Sequence, residues 1–188
     1  MVLIPHMSTL HVFLLVVCSV FCHVVNAHRN VYGEDLQPCS SVGMALTGYT
    51  RSGYCVNRDD DVGSHHICIN LNATTTKNEN FCQVTGQPNW CASTDMPCHN
   101  GDGNKISSTT PFRNCPIQNW CVCQWAFAAY IEKAGGCHQI QEIVCHAIHE
   151  QAILSYQLHQ RGHPSYQRAL ECLVERCGLS DSVLSSRG

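Results

Sequence analysis

Apolar positions with a helical period fill the last third of the chain. The first series follows Asn119, a residue that can cap a helix, and precedes Gly135-Gly136, which suits a left-handed helix end. Intervals of three and four residues separate its members, which are Trp120, Cys123, Phe127, Ile131 and Ala134. This spacing predicts a helix over about residues 120–134.

Two further helices are predicted downstream. A helix of about 20 residues would carry one apolar face, formed by Ile140, Val144, Ala147, Leu154 and Leu158. Its first half is also compatible with a strand, because residues 143–145 are apolar and tolerate the β conformation; a helix would then begin near His149. The last helix is predicted to begin near Ser165, after Pro164, and to stop at Gly178.

The first two thirds of the chain show strand and loop patterns. Residues 66–69 form the best strand candidate. Residues 70–115 are rich in Asn, Thr, Ser, Gly and Pro and contain cysteines at short intervals, so we expect disulfides to hold them. The pattern predicts an α+β fold: a small disulfide-rich domain with short strands in the N-terminal half and two to three helices in the C-terminal third.

A mostly apolar run near the N-terminus is typical of a signal peptide. Residues 12–22 are too few for a transmembrane helix, which needs about 20 residues. Small side chains at Val25-Asn26-Ala27 predict cleavage after Ala27, although the first 27 residues contain no Lys or Arg, which leaves an uncleaved anchor open. We therefore expect a secreted or lumenal protein without a membrane span after cleavage. The predicted organisation is a signal peptide at 1–27, a single cysteine-rich domain at 28–178 with a cysteine-rich insertion at about 76–116, and a disordered tail at 179–188.

The number of cysteines fits the same compartment. Cys18 and Cys22 lie in the predicted signal, so thirteen of the fifteen cysteines remain. In an oxidising compartment such density predicts disulfides rather than metal ligands. Because thirteen is odd, one thiol stays free or joins a disulfide-linked partner. Asn72 begins an Asn-Ala-Thr glycosylation sequon. The disulfide candidates are Cys39, Cys55, Cys68, Cys82, Cys91, Cys98, Cys115, Cys121, Cys123, Cys137, Cys145, Cys172 and Cys177.

Charge and composition exclude several classes of protein. With 11 Lys plus Arg against 14 Asp plus Glu, the formal charge is −3. Nonspecific binding to nucleic acid or to an anionic membrane surface is therefore not expected, since both favour excess positive charge. A hydrophobic content of 44% argues against a disordered chain.

The motifs that carry chemistry leave alternatives open. Cys121-Val122-Cys123 could form a disulfide, bind a metal or exchange disulfides, and two ordinary disulfide halves are the simpler interpretation. On the second predicted helix, His138, Glu142, Cys145 and His149 would form one stripe able to bind zinc or copper, or a solvated face with Cys145 in a disulfide.

The acidic run at residues 59–61 lacks the glycine and the glutamate of a calcium loop, so it predicts a solvated turn. No signature assigns a catalytic or cofactor-binding residue, although Ser-His-Asp or Cys-His catalysis stays open.

Several short motifs together resemble one known family. They are Asn30-Val31-Tyr32-Gly33, Leu36-Gln37-Pro38-Cys39-Ser40, Thr47-Gly48-Tyr49-Thr50-Arg51, Gly53-Tyr54-Cys55, Asp61-Val62-Gly63-Ser64-His65-His66-Ile67-Cys68, Trp120-Cys121-Val122-Cys123 and Ala147-Ile148-His149-Glu150-Gln151-Ala152. The chain resembles the domain-of-unknown-function 2237 family, which has no assigned biochemical activity, over about residues 28–154. We interpret it as a secreted, cysteine-rich eukaryotic version whose cysteine-rich stretch, residues 82–115, is an addition.

The resemblance divides the cysteines into two groups. Cys39, Cys55, Cys68, Cys121 and Cys123 match the family pattern, together with His65 and His149. The other eight are an even number, so we expect four additional disulfides, several of them tying the middle segment to the helices. The odd thiol then belongs to the matching group. The resemblance implies metal or thiol chemistry there, with His65, Cys121, Cys123 and His149 as candidate ligands of zinc or copper.

The predicted function follows from this setting. We expect a noncatalytic extracellular binding or structural protein that needs no cofactor. The alternative is a metal-binding or thiol-redox protein that uses the shared Cys and His set, and a hydrolase is a third, less favoured possibility. The sequence identifies no ligand and no partner.

Overall fold

The computed structural model describes residues 28–98, 114–140 and 142–180. The predicted signal peptide, residues 181–188 of the predicted tail and residues 99–113 of the predicted insertion lie outside the described residues. Mixed α and β structure is observed, as the sequence predicts, with short antiparallel strands and mostly C-terminal helices.

Two short antiparallel ladders form the β structure. Strand β1, Ile67–Asn70, pairs with β4, Asn119–Val122, and this register places Cys68 opposite Cys121. Strands β2, Met96–Pro97, and β3, Asn114–Cys115, form the second ladder. The predicted strand at residues 66–69 is confirmed, with its bounds shifted by one residue.

Four α-helices lie within the described ranges. Helix α1, Phe81–Thr85, begins with a capping box between Asn80 and Gln83, which the sequence interpretation missed. Helices α2, Gln124–Ala134, α3, Gln151–His159, and α4, Pro164–Cys177, follow. Helix α4 confirms the prediction, since Pro164 is its first residue and Gly178, with φ of 61°, ends it in the left-handed conformation.

Two predicted helices begin later than their periodicity indicated. Residues 120–122 belong to β4, where all three side chains are buried, so their apolar character reflects burial on both faces of a strand. The second predicted helix is divided. Ile143 forms a β-bridge with Ile69, residues 145–147 form a 3-10 turn, and α3 begins only at Gln151. The structure is closer to the strand-like alternative, with an isolated bridge at Ile143 in place of a strand at 143–145 and a helix that begins at Gln151, near His149.

The helices form the core beside the β1–β4 ladder. Phe127 and Ile131 of α2, Ile153 and Tyr156 of α3, and Leu173 of α4 are all fully buried. The Tyr156 hydroxyl donates a hydrogen bond of 2.6 Å to the Gln124 carbonyl, which ties α3 to the start of α2. This core fixes the junction between β4 and α2, where the candidate site lies.

Six disulfides join twelve of the thirteen described cysteines. They are Cys39–Cys68, Cys55–Cys121, Cys82–Cys91, Cys98–Cys115, Cys137–Cys172 and Cys145–Cys177. The eight additional cysteines thus form four disulfides, but none ties the middle segment to the helices, contrary to our expectation. Hydrogen bonds do so instead: the Thr76 amide donates to the Gln139 carbonyl, and the Lys133 ammonium donates to the Thr85 carbonyl.

The disulfide content is compatible with an extracellular location or the secretory lumen. Among the residues that the structure describes, none of the helices has the length and apolar content needed to cross a membrane.

Candidate active site

A loop between Asp61 and His65 is built around one buried carboxylate. The Asp61 side chain is 1% exposed. Its Oδ1 accepts the Gly63 amide at 3.1 Å and lies 2.7 Å from His65 Nδ1, and its Oδ2 accepts the His65 amide at 2.8 Å. The predicted solvated turn describes the exposed Asp59 and Asp60 but is wrong for Asp61. The carboxylate is buried because these three donors replace its water.

The same carboxylate orients the imidazole of His65 toward a thiol. A carboxylate accepts hydrogen bonds, so the proton of neutral His65 lies on Nδ1 and the lone pair lies on Nε2. Nε2 is 3.0 Å from the Sγ of Cys123. Asp61, His65 and Cys123 therefore form a row in which the carboxylate holds the base and the base faces a nucleophile.

Cys123 lies at the junction of β4 and α2. It follows the last residue of β4, has extended backbone angles and occupies the N-cap position of α2. The loop docks on this junction because the Ser64 carbonyl accepts the Gln124 amide at 3.2 Å. The next two helix amides, of Trp125 and Ala126, have no hydrogen-bond acceptor in the part of the chain described. They are donors at a positive helix end, next to the thiol.

The resting thiol is protonated. Burial, and then the charge of Asp61, raise the pKa of the Cys123 thiol to about 11. A thiolate is therefore scarce near pH 7, and deprotonation of Cys123 during a reaction requires a base, which His65 is placed to be.

Both the thiol residue and the imidazole of this site are partly accessible to solvent. Cys123 is partly exposed and the His65 side chain is 29% exposed. The Tyr49 ring stacks on the His65 ring, with 6.1 Å between centroids, and its hydroxyl donates to the Asp60 carbonyl at 3.1 Å. A reactant can thus approach the thiol while the imidazole is held by Asp61 on one side and by an aromatic ring on its face.

Gly63 leaves the space that the thiol and imidazole occupy. A Cβ atom at this position would lie 2.5 Å from Cε1 of His65 and 3.1 Å from Sγ of Cys123. We expect Gly63→Ala to displace both side chains and to lower the free energy of unfolding by about 1–3 kcal/mol. Chemical denaturation measures this change. Ser64→Ala, in the same loop, is the control; an equal effect of the two substitutions would contradict the steric explanation.

The structure brings two of the four predicted metal ligands together. His65 and Cys123 are in contact, whereas Cys121 is bonded to Cys55 and cannot act as a thiolate in this state. His149 lies against two other histidines: its Nε2 is 3.0 Å from Nδ1 of His28, and its ring centroid is 5.6 Å from that of His66.

Both ring nitrogens of His149 lie within hydrogen-bond distance of neighbouring groups. The Gln151 amide donates to Nδ1 of His149 at 3.0 Å, so the proton of neutral His149 lies on Nε2 and is donated to His28. A metal at Nε2 would require that proton to move to Nδ1, where it would face the Gln151 amide.

The predicted zinc or copper stripe is dispersed, because the described residues between 138 and 149 form short 3-10 turns instead of one α-helix. His138 lies 3.6 Å from Glu175, Glu142 accepts a hydrogen bond from Asn70, and Cys145 is bonded to Cys177. The alternative interpretation of the sequence, in which Cys145 is half of a disulfide, agrees with the structure.

Asp61 is the residue of the row that sequence reasoning missed. The spacing Asp-x-x-x-His is compatible with a local turn in which a carboxylate reaches the ring of the histidine four residues later. Asp61 directly follows Asp59 and Asp60, and such an acidic run is typical of a solvated surface, so the sequence provides no reason to expect a buried carboxylate at Asp61.

The comparisons with known proteins concern the same segment. A family model described as "Uncharacterized protein conserved in bacteria (DUF2237)" matches residues 29–161, which contain Asp61, His65 and Cys123. No curated protein matches the chain.

Proposed function

The chain belongs to the DUF2237 family, and from the geometry of the site within the matched residues we propose that it is a cysteine-dependent acyltransferase or hydrolase. The observation that carries this proposal is the row formed by the buried Asp61 carboxylate, the His65 ring and the Cys123 thiol, with separations of 2.7 Å and 3.0 Å. Such rows support nucleophilic catalysis on unrelated folds.

The reaction transfers an acyl group through Cys123. As Sγ attacks the carbonyl carbon of an ester, thioester or amide, Nε2 of His65 takes the thiol proton. When the bond to the leaving group breaks, the same proton passes from His65 to that group. Water or another acceptor then loses a proton to His65 and attacks the acyl-cysteine, which restores the free thiol.

The start of α2 would stabilise the charge that develops on the carbonyl oxygen. The amides of Trp125 and Ala126 have no acceptor among the described residues, and they lie two and three residues after Cys123 in the first turn of α2. Backbone donors with fixed positions at a helix N-terminus are suited to an oxyanion.

The lack of a second free thiol among the described residues favours acyl transfer over the thiol-redox alternative. The pKa of Cys123 is raised to about 11, so either reaction would need a base to deprotonate the thiol. A redox cycle would also need a second thiol, and every other cysteine in the described ranges is in a disulfide.

The noncatalytic role that the sequence favours fits the disulfide framework. It does not explain why the buried Asp61 carboxylate holds His65 against the thiol of Cys123. In this proposal the odd cysteine is the nucleophile rather than a link to a partner chain.

Secretion and glycosylation complete the proposal. Six disulfides and an exposed Asn72 in its sequon support passage through the secretory pathway after cleavage behind Ala27. The substrate would then be a carbonyl compound in the lumen or outside the cell.

Covalent trapping tests the proposal. Incubation with p-nitrophenyl acetate, and separately with an acetyl thioester, is expected to add one acetyl group to Cys123, detected by peptide mass spectrometry. Cys123→Ser should lower the rate of leaving-group release by at least about 10³-fold.

His65→Gln and His138→Gln form the matched pair of histidine variants. The first should abolish acylation, and the second, at an exposed position, should leave the rate unchanged. Acylation of other residues, equal rates in Cys123→Ser, or no reaction with either reagent would each refute the proposal.

A further inference from the structure

Two of the disulfides meet at one place in the core. Cys68 and Cys121 face each other on the paired strands β1 and β4, yet each is bonded to a cysteine of the preceding loops. Cys39 bonds to Cys68, and Cys55 bonds to Cys121. All four side chains are at most 1% exposed.

The four sulfur atoms lie close together, in two neighbouring disulfides. The Sγ atoms of Cys39, Cys55 and Cys68 all lie within 4.8 Å of one another, and that of Cys121 is bonded to Cys55. In a tetrahedral zinc site with Zn–S bonds of about 2.3 Å, neighbouring sulfurs are about 3.8 Å apart, so the two sulfurs of each disulfide would move apart to this distance after reduction. Within residues 28–98, 114–140 and 142–180, this is the one group of three or more potential ligands that lie this close.

We propose that these four cysteines form a zinc site when both disulfides are reduced. Each disulfide takes two electrons and two protons from a dithiol, which becomes a disulfide. Zn²⁺ then binds the four sulfurs and displaces their four protons, because a coordinated thiol ionises even in a buried position. Four-cysteine coordination is a common form of structural zinc site.

The exchange preserves the connections that hold the candidate active site. In the oxidised protein two covalent bonds tie residues 39 and 55 to the strands, and in the reduced protein one metal ion would tie the same four positions together. The segment between Cys39 and Cys55 carries Tyr49, which stacks on His65. The same fold could therefore persist in oxidising and reducing surroundings.

Metal titration of the reduced full-length protein tests the proposal. A phosphine reductant opens the disulfides: each disulfide accepts two electrons and the phosphine becomes its oxide. A phosphine is chosen because a dithiol would compete with the protein for Co²⁺, which is added under anaerobic conditions. We expect the reduced protein to bind one Co²⁺ per chain, with the charge-transfer and visible bands of tetrahedral thiolate coordination. One Zn²⁺ should displace the Co²⁺. The bound metal should protect four thiols from alkylation. Zn²⁺ should also raise the melting temperature of the reduced protein.

Paired substitutions separate this site from the other thiols. Two double variants should each abolish the tetrahedral spectrum. One is Cys39→Ser with Cys68→Ser, and the other is Cys55→Ser with Cys121→Ser. Cys82→Ser with Cys91→Ser removes as many cysteines elsewhere and should retain it. Cys123→Ser should also retain it, so this proposal stands or falls separately from the proposed enzymatic function. The absence of bound metal in the reduced wild type, or equal binding by all the paired variants, would overturn it.

Discussion

Replacement of Asp61 by asparagine is expected to slow acylation of Cys123 by about 10³–10⁴-fold. An asparagine fills the same space, but its amide group can donate to Nδ1 of His65, which would place the imidazole proton on Nε2. That nitrogen faces Sγ of Cys123 at 3.0 Å and could then no longer accept the thiol proton. The single-turnover rate with p-nitrophenyl acetate measures the effect.

The control for this substitution lies one residue away. Asp60→Asn removes an exposed carboxylate that pairs with Arg58 at 3.0 Å and should leave the acylation rate unchanged. The double variant Asp61→Asn with His65→Gln should be no slower than His65→Gln alone, since both residues act in one proton transfer. Additive losses, or a rate within tenfold of the wild type for Asp61→Asn, would contradict the assigned role.

Acidification of the oxidised protein from pH 6.5 to 4 is expected to lower its free energy of unfolding by about 3 kcal/mol through His66 alone. Burial lowers the pKa of His66 to about 4, although the charge of Asp61 opposes the shift; positive charge on His65 and His28 reinforces it. Neither ring nitrogen has a hydrogen-bond partner among the described residues, and the ring packs on that of His149.

The direction follows from the proton balance. Below pH 6.5 the unfolded chain protonates His66, while the folded chain keeps it neutral until pH approaches 4, so acid favours the unfolded state across this range. Chemical denaturation at successive pH values measures the slope. His66→Leu should flatten it, His66→Gln should flatten it as well, and His159→Gln, at an exposed position, should not. An unchanged slope in both His66 variants would show that His66 is not the responsible group.

The elements that the sequence predicted well are those with local signals. Helix α4 has a proline at its first turn, a strong apolar face and a glycine after its last residue, so propensity, period and end signals agree. The β1 strand was predicted because its short apolar run is bounded by polar residues. In β4, by contrast, Trp120 and Cys121 have a partner fifty residues earlier, and a single sequence does not reveal such pairing.

The candidate site was predicted in part for a similar reason. Family motifs singled out His65 and Cys123, which lie in contact although 58 residues separate them. The motif that carries His65 also contains Asp61, but nothing local distinguishes a buried carboxylate from its exposed neighbours Asp59 and Asp60. Its burial depends on three hydrogen-bond donors that only the folded loop brings together.

The disulfides divide the chain into two covalently closed parts with helix α2 between them. Four of them join residues between Cys39 and Cys121, and the other two join residues between Cys137 and Cys177, so none spans Gln124–Ala134. A single backbone cut in α2 would therefore leave two fragments held together only by noncovalent contacts. A cut between Cys145 and Cys172 would leave fragments joined by two disulfides. The proposed nucleophile, Cys123, caps the one described α-helix that no disulfide spans, so fragment complementation across α2 would report on the assembly of the site.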